Sequence, residues 1–320
     1  MKQRKFLSFL TSQYTAQQFL LHCYKKLEVE HPEKKSYENA SAFIHFLDHG
    51  LKFYESGRKL DELVQPVLYF YGLAHLLKAY ILTKRPDYPE STTHLAHGVT
   101  TRKRKKKDFS FLEDEVKVQR NGLFTYAAEY LFSITPFPFE KIKMKHLLVC
   151  IPEMNELFRF QQDERLIPVG TVDSPSLLFP YDLLDTYHVT EKAFIEKIKP
   201  FMPGIKDIHE EENNIVFQLE KPIFPGKGPF FFNYIDKNIY FPVHREDFLP
   251  LPETMIHYLL LYNLSMLCRY ETEWWGEILT ERADYNYLYI RHFLHITAEK
   301  VPLLIEQELL HLLGNNLFNI

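Results

Sequence analysis

Apolar positions recur at helical spacing over both ends of the chain and at strand spacing in its middle. Residues 14–27 put Phe19, Leu20 and Cys23 on one side, which predicts a first helix. Residues 37–56 predict a second, with Ala42, Phe43, Phe46, Leu47, Leu51 and Tyr54 three or four positions apart in a buried stripe. From Val67 to Leu82 the chain reads VLYFYGLAHLLKAYIL, apolar nearly all round, as in a helix at the centre of a bundle. Proline is tolerated only near a helix start, so Pro66 moves the expected beginning of this helix from Asp61 to about Gln65. Helical patterns return at 143–162, 253–269, 272–293 and 298–313, the last with Pro302 in its first turn.

Residues 84–108 read as loop, punctuated by Pro86, Pro89, Ser91, Thr92 and Gly98. Val116 and Val118 suggest a short strand, while Leu123–Phe132 fits a strand or a helix. Between 165 and 245 the runs LIPVGTV, NNIVFQLE, GPFFFNYI and NIYFPV alternate like strands. Asp236-Lys237-Asn238 reads as a hairpin turn, and a helix is expected at about 190–199. The return of helical periodicity after residue 252 predicts an α+β protein, mostly α. A helical bundle made from residues 1–162 and 251–320 would carry an α/β insertion at 163–250, because each helical part alone has too small a core.

Composition narrows the class. The 320 residues are 46% hydrophobic and 25% charged, an ordinary globular balance. Aromatics reach 15%, and only 11 glycines are present, which favours long helices over turns. With 38 basic and 42 acidic residues the formal charge is −4, so a general nucleic-acid binder is disfavoured and any polyanion site must be a local patch. Cys23, Cys150 and Cys268 are far apart and lack zinc-ligand spacing, which suggests reduced thiols in a cytoplasmic protein. The basic, then apolar N-terminus breaks at Thr11-Ser12-Gln13, and no apolar run reaches the ~18 residues of a membrane span.

Several constellations carry possible chemistry. Tyr71, His75 and Lys78 fall on one face of the central helix, and lysine is almost never fully buried without a partner. That face could floor an anion pocket, with Lys78 as a point charge and Tyr71 as a donor, or Lys78 could reach solvent or a structural carboxylate. His94 and His97 are spaced like metal ligands but lack a third, and His45, Asp48 and His49 equally describe the polar edge of an amphipathic helix. No metal and no cofactor are expected. Arg102, Lys103, Arg104, Lys105, Lys106 and Lys107 form a basic run suited to phosphate contact or to solvent. Arg269 could pair with Glu273, or could recognise a planar anion among Tyr270, Trp274 and Trp275. Glu210-Glu211-Glu212 reads as a solvated loop. No P-loop, GxSxG, HExxH or kinase motif is present.

Two stretches, PVLYFYGLAHLLKAYIL (Pro66–Leu82) followed by His97-Gly98, and NLSMLCRYETEWWGEIL (Asn263–Leu279), together resemble the bacterial YaaC-like family. The resemblance covers nearly the whole chain and implies no established activity. In that family the gene often neighbours that of IMP dehydrogenase, which makes an enzyme of guanine nucleotide synthesis the candidate protein partner. The first stretch also resembles, more loosely, helices of HEPN-type bundles, which include RNases and nucleotide-binding modules. Arg291 and His295 come nearest to the HEPN Arg-x4–6-His motif, but only three residues separate them. The expectation is therefore a non-enzymatic regulatory or binding protein acting through a protein partner. The alternatives are a HEPN-like nucleotide- or RNA-binding module using Tyr71, His75, Lys78, His97, Arg269, Tyr270 and Trp274, and a nuclease with an unrecognised site.

Overall fold

The structure, a computed structural model, describes residues 5–102, 109–224, 228–282 and 285–314. The first four helices are α1 (Lys5–Phe9), α2 (Gln13–Lys26), α3 (Pro32–Lys59) and α4 (Gln65–Lys84). Strands β1 (Val99–Thr101) and β2 (Glu115–Val118), helix α5 (Leu123–Phe132) and strand β3 (Lys141–Lys143) follow. The middle of the chain holds α6 (Met144–Val149), α7 (Asn155–Phe160), β4 (Leu166–Thr171), β5 (Ser176–Pro180), α8 (Asp182–Tyr187) and α9 (Glu191–Ile198). Then come β6 (Ile205–Glu211), β7 (Asn214–Leu219), β8 (Phe231–Phe232), β9 (Asn238–Pro242), α10 (Glu253–Tyr270), α11 (Thr272–Glu281) and α12 (Tyr285–Leu313). The protein is mostly α within an α+β class. The chain divides into two compact units, Met1–Ile142 with His257–Ile320, and Lys143–Ile256. The second unit takes in 143–162, which periodicity alone places with the first helices, because α6 and α7 are single-turn elements joined by a 3₁₀ turn at Pro152–Met154.

In the first unit α3 and α4 pack through glycines. A Cβ on Gly50 would lie 2.6 Å from Leu76, and one on Gly72 would lie 2.8 Å from Tyr54, while one on Gly57 would enter the Tyr69 ring. The absence of side chains at these points lets the two helix backbones approach, and α4 buries thirteen residues. Strand β2 lies between β1 and β3, with Val99 opposite Val118 and Thr101 opposite Val116.

Helix α12 departs from expectation twice. Periodicity predicts 272–293 and 298–313 as separate helices, yet the break falls after Glu281, at Arg282 in the left-handed conformation (φ 53°). From Tyr285 the chain runs as one helix to Leu313 with Pro302 in its interior. Proline has no N–H for the carbonyl four residues earlier. That carbonyl, Ala298 C=O, instead accepts a hydrogen bond from the Arg58 guanidinium of α3 at 2.8 Å.

In the second unit two antiparallel three-stranded sheets, ordered β4-β9-β8 and β5-β7-β6, enclose Phe179, Phe194, Phe217 and Phe241 with α8 and α9. Ile167 pairs with Phe241 and Leu177 with Phe217. The run Glu210-Glu211 is not loop but the end of the edge strand β6, with Glu212 in the following turn at φ 46°. One face of that strand meets water, which explains its weak apolar signal. Asp247 is buried in this unit. Its carboxylate accepts from Arg165 Nε at 2.8 Å and sits 2.8 Å from His146 Nδ1. Arg165 also reaches Glu246 at 2.9 Å, so the charges are mutually satisfied and the network has the character of a structural lock.

Candidate functional site

In the first unit, Tyr71, His75 and Lys78 leave the buried side of α4 on one half-buried face. His75 lies between Phe46 and Phe53 of α3, with ring centroids 6.0 and 5.8 Å away and interplanar angles of 29° and 8°. Phe46 and Phe53 are seven residues apart on α3, two turns on one face, so they flank a single ring of the neighbouring helix. His49 meets the His75 ring edge-on at 5.6 Å. The Nδ1 of His75 is buried without a hydrogen-bond partner among the described residues. The Lys78 ammonium lies 5.6 Å from the Phe46 ring centroid.

His97 joins this face from the loop before β1. Its ring sits 4.9 Å from Phe70, 5.9 Å from Tyr71 and 5.9 Å from Tyr262. The backbone fixes it. Its carbonyl accepts from the Tyr258 hydroxyl at 2.9 Å and from the Phe124 N–H at 3.2 Å. Next to it, Gly98 (φ 77°) passes so close to Gly122 (φ 133°) that a side chain on Gly122 would enter the Gly98 backbone. Both glycines are therefore needed, for conformation and for approach.

Arg269 lies at the end of α10, seven residues beyond Tyr262. Its Nε donates to the Ser265 carbonyl at 3.0 Å, its terminal nitrogen lies 3.2 Å from Met266 Sδ, and its guanidinium lies 5.3 Å from the Tyr270 ring. The pair with Glu273, one of the two readings the sequence leaves open, does not form among the described residues, because α10 ends at Tyr270 and Glu273 lies in the first turn of a new helix.

The electrostatics follow from these positions. Burial, then the charges of Arg269 and Lys78, hold the His97 imidazole below its ordinary pKa. Burial, then Lys78 and His49, do the same to His75. Burial alone lowers the Lys78 ammonium. Both cations thus bear on one imidazole, and among the described residues neither forms an ion pair. Two half-buried cations are thus left without a counter-ion among the described residues.

The structure thus brings Tyr71 and His97 into contact, with His75 and Lys78 further along the same face of α4; the charges of Lys78 and Arg269 both bear on His97, and the exposed Tyr270 lies beside Arg269. Trp274 lies elsewhere, edge-on to Phe109 at 4.8 Å, and Trp275 is fully buried with its indole N–H donating to the Leu63 carbonyl at 3.0 Å. Tyr262 was not a sequence candidate, although its place seven residues before Arg269 puts both on one helix face. Of the basic run, Arg102 lines a polar cavity with three carboxylates, and Lys103, Arg104, Lys105, Lys106 and Lys107 lie outside the described residues.

His94 turns away from His97, towards Tyr126 at 4.5 Å and Glu90 at 3.5 Å. Asp48 pairs with Lys52 at 2.6 Å. Among the described residues no three His, Cys, Asp or Glu side chains gather as metal ligands. Arg291 pairs with Glu62 at 3.0 Å on an exposed face, and His295 is exposed too, both outside the cluster. The thiols are packing groups, with burial pushing Cys23 up to about 12. No described helix is long and apolar enough to cross a membrane.

The family model of YaaC-like proteins matches residues 8–309. The chain belongs to the YaaC-like family. Tyr71, His75, Lys78, His97 and Arg269 all fall inside that match, as does the whole of the second unit. Neither a curated protein nor a solved structure gives a match.

Proposed function

We propose that this YaaC-like protein is a binding or regulatory protein whose helical unit takes up a phosphate-bearing ligand through Lys78 and Arg269. What supports this reading is that Lys78 and Arg269 are both half-buried, that neither forms an ion pair among the described residues, and that the charge of each bears on His97. Keeping such charges partly out of water is unfavourable, and an anion placed between them offsets that cost. A guanidinium suits bidentate contact with phosphate oxygens, while an ammonium adds a compact point charge. The rings of Phe46 beside Lys78, of Tyr71 and Tyr262 beside His97, and of Tyr270 beside Arg269 favour a ligand with a flat or apolar part.

The test is calorimetric and thermal titration of the whole chain with inorganic phosphate and sulfate. Phosphate at ~100 times its dissociation constant should stabilise the protein by about 2.7 kcal/mol, and Lys78→Ala or Arg269→Ala should cut the effect at the same concentration to about 1.4 kcal/mol or less. Absence of any protection in the unmodified protein contradicts the reading.

A protein partner, with IMP dehydrogenase as the candidate, finds support in a separate feature of the same unit. Leu60 (50% exposed), Leu63 (46%) and Leu288 (44%) stand out to solvent around the Glu62–Arg291 ion pair. Co-elution of the two purified proteins, lost in Leu63→Asp, supports it; separate elution with and without phosphate opposes it.

A further inference from the structure

A cleft of about 320 Å³ lies in the first unit, between α5, the end of β2 and the stretch 133–140 that leads into β3. Its volume is at the lower end of ordinary small-molecule sites, and none of its lining residues belongs to the cationic cluster. The sequence builds each wall. Thr125 and Glu129 are four residues apart on α5 and share the face turned to the cleft, while Ala127 and Ala128 between them are buried. In the stretch 133–140 the alternate residues Thr135, Phe137 and Phe139 line the cleft, and Pro136 and Pro138 between them are exposed. These prolines have no N–H to give to a sheet, so the stretch stays outside the β1-β2-β3 ladder. It is held at its ends, where the Ile134 N–H donates to the Ala128 carbonyl at 2.9 Å and the Val118 N–H donates to the Glu140 carbonyl at 2.9 Å.

The floor of the cleft is aromatic. Phe137 meets Phe139 edge-on at 4.8 Å and Phe124 of α5 at 5.2 Å, and Phe137 and Phe139 are only half-buried. The rim carries both signs of charge. Arg120 comes from the end of β2 and Glu129 from α5; both are exposed, and neither forms an ion pair among the described residues. The remaining charged residue of the lining, Glu140, is already paired with Lys117 at 2.5 Å. An anion alone or a cation alone would leave one charge of this rim unanswered. A ligand that is apolar at one end and zwitterionic at the other answers both. A free α-amino acid is such a molecule, with carboxylate and ammonium on one carbon. A residue inside a peptide has neither charge, and a chain terminus has only one.

We propose that this cleft binds a free α-amino acid with an aromatic side chain. The ring lies against Phe137 and Phe139, where offset or edge-on contacts favour a flat aromatic partner. The carboxylate lies at the Arg120 guanidinium, whose forked donors match its two oxygens, and the ammonium lies at Glu129. The site is separate from the phosphate reading of the cluster and does not depend on it.

The experiment is a ligand-observed NMR titration of the full chain with phenylalanine, alanine, phenylalaninamide and 3-phenylpropionate. Phenylalanine should bind at least ~10-fold more tightly than alanine, the size expected from burying a ring. It should bind about 2- to 5-fold more tightly than the amide, which lacks the carboxylate, and than 3-phenylpropionate, which lacks the ammonium, because exposed charge pairs contribute little. Arg120→Gln should remove the difference between phenylalanine and its amide. Glu129→Gln should remove the difference between phenylalanine and 3-phenylpropionate. Both side chains are exposed, so these variants leave the core untouched. No binding of phenylalanine, equal affinities across these compounds, or a difference that persists in its matching variant overturns the proposal. None of these outcomes bears on the anion cluster, whose probe is phosphate.

Discussion

His97 and His75 are the residues at which charge and burial meet. Both imidazoles are held below the ordinary value of 6.5, by burial first and by neighbouring cations second. A base whose folded pKa is depressed contributes stability that is present above the ordinary value. That contribution is lost as pH falls from the ordinary value through the folded one, since the unfolded chain then binds more protons. The same protonation adds positive charge beside Lys78 and Arg269. An anion in the cluster should therefore raise both pKa values and bind more tightly as pH falls below about 6.5. Sulfate keeps its charge over this range and isolates the effect. The protein's melting temperature without anion should fall from pH 7 to pH 5, and the shift caused by sulfate should grow. In His97→Asn that growth should be reduced. A sulfate shift independent of pH would exclude these histidines from the site.

At the scale of elements, the site depends on how closely α3 and α4 come together. The three glycines of α3 and α4 let Phe46 and Phe53 flank His75. The sequence shows the apolar stripes of both helices plainly, and α4 begins at Gln65, where Pro66 puts it. The glycine contacts were not legible, because they are a property of two helices meeting rather than of either alone. For the same reason Pro302 reads as a helix start in the sequence, whereas Arg58, 240 residues distant, takes the freed Ala298 carbonyl and lets the helix continue. Arg58→Leu should thus leave a carbonyl unsatisfied and lower stability by about 1–2 kcal/mol in urea unfolding. Glu299→Gln, which removes the longer 3.6 Å ion pair with Arg58, should cost less than ~1 kcal/mol. Equal losses would show that Arg58 acts through charge and not by capping Pro302.

For the whole molecule, the alternation of helical and strand-like texture carried the α+β class, while the resemblance of the stretches Pro66–Leu82 and Asn263–Leu279 carried the family. Long periodic segments keep their signal whatever they pack against. The middle of the chain was less legible. β5 and β6 were missed because an edge strand and a short run ending in proline carry little alternation. The cluster was half legible. Tyr71, His75 and Lys78 share a helix face by spacing alone, but His97 and Arg269 reach it only through the fold. Trp274 was drawn in by its place beside Arg269 in sequence, and the change of helix at Glu271 carries it away.

The central claim is that Lys78 and Arg269 serve one anion. A double-mutant cycle on sulfate affinity, with Lys78→Ala, Arg269→Ala and the double variant measured by calorimetry, tests it directly. Charged contacts of this kind contribute about 1.5–3 kcal/mol each, so each single variant should weaken binding by roughly 10-fold or more. The double variant should lose clearly less than the sum, with a coupling of at least ~0.5 kcal/mol. Purely additive losses, or sulfate binding unaffected by either substitution, would contradict a shared site.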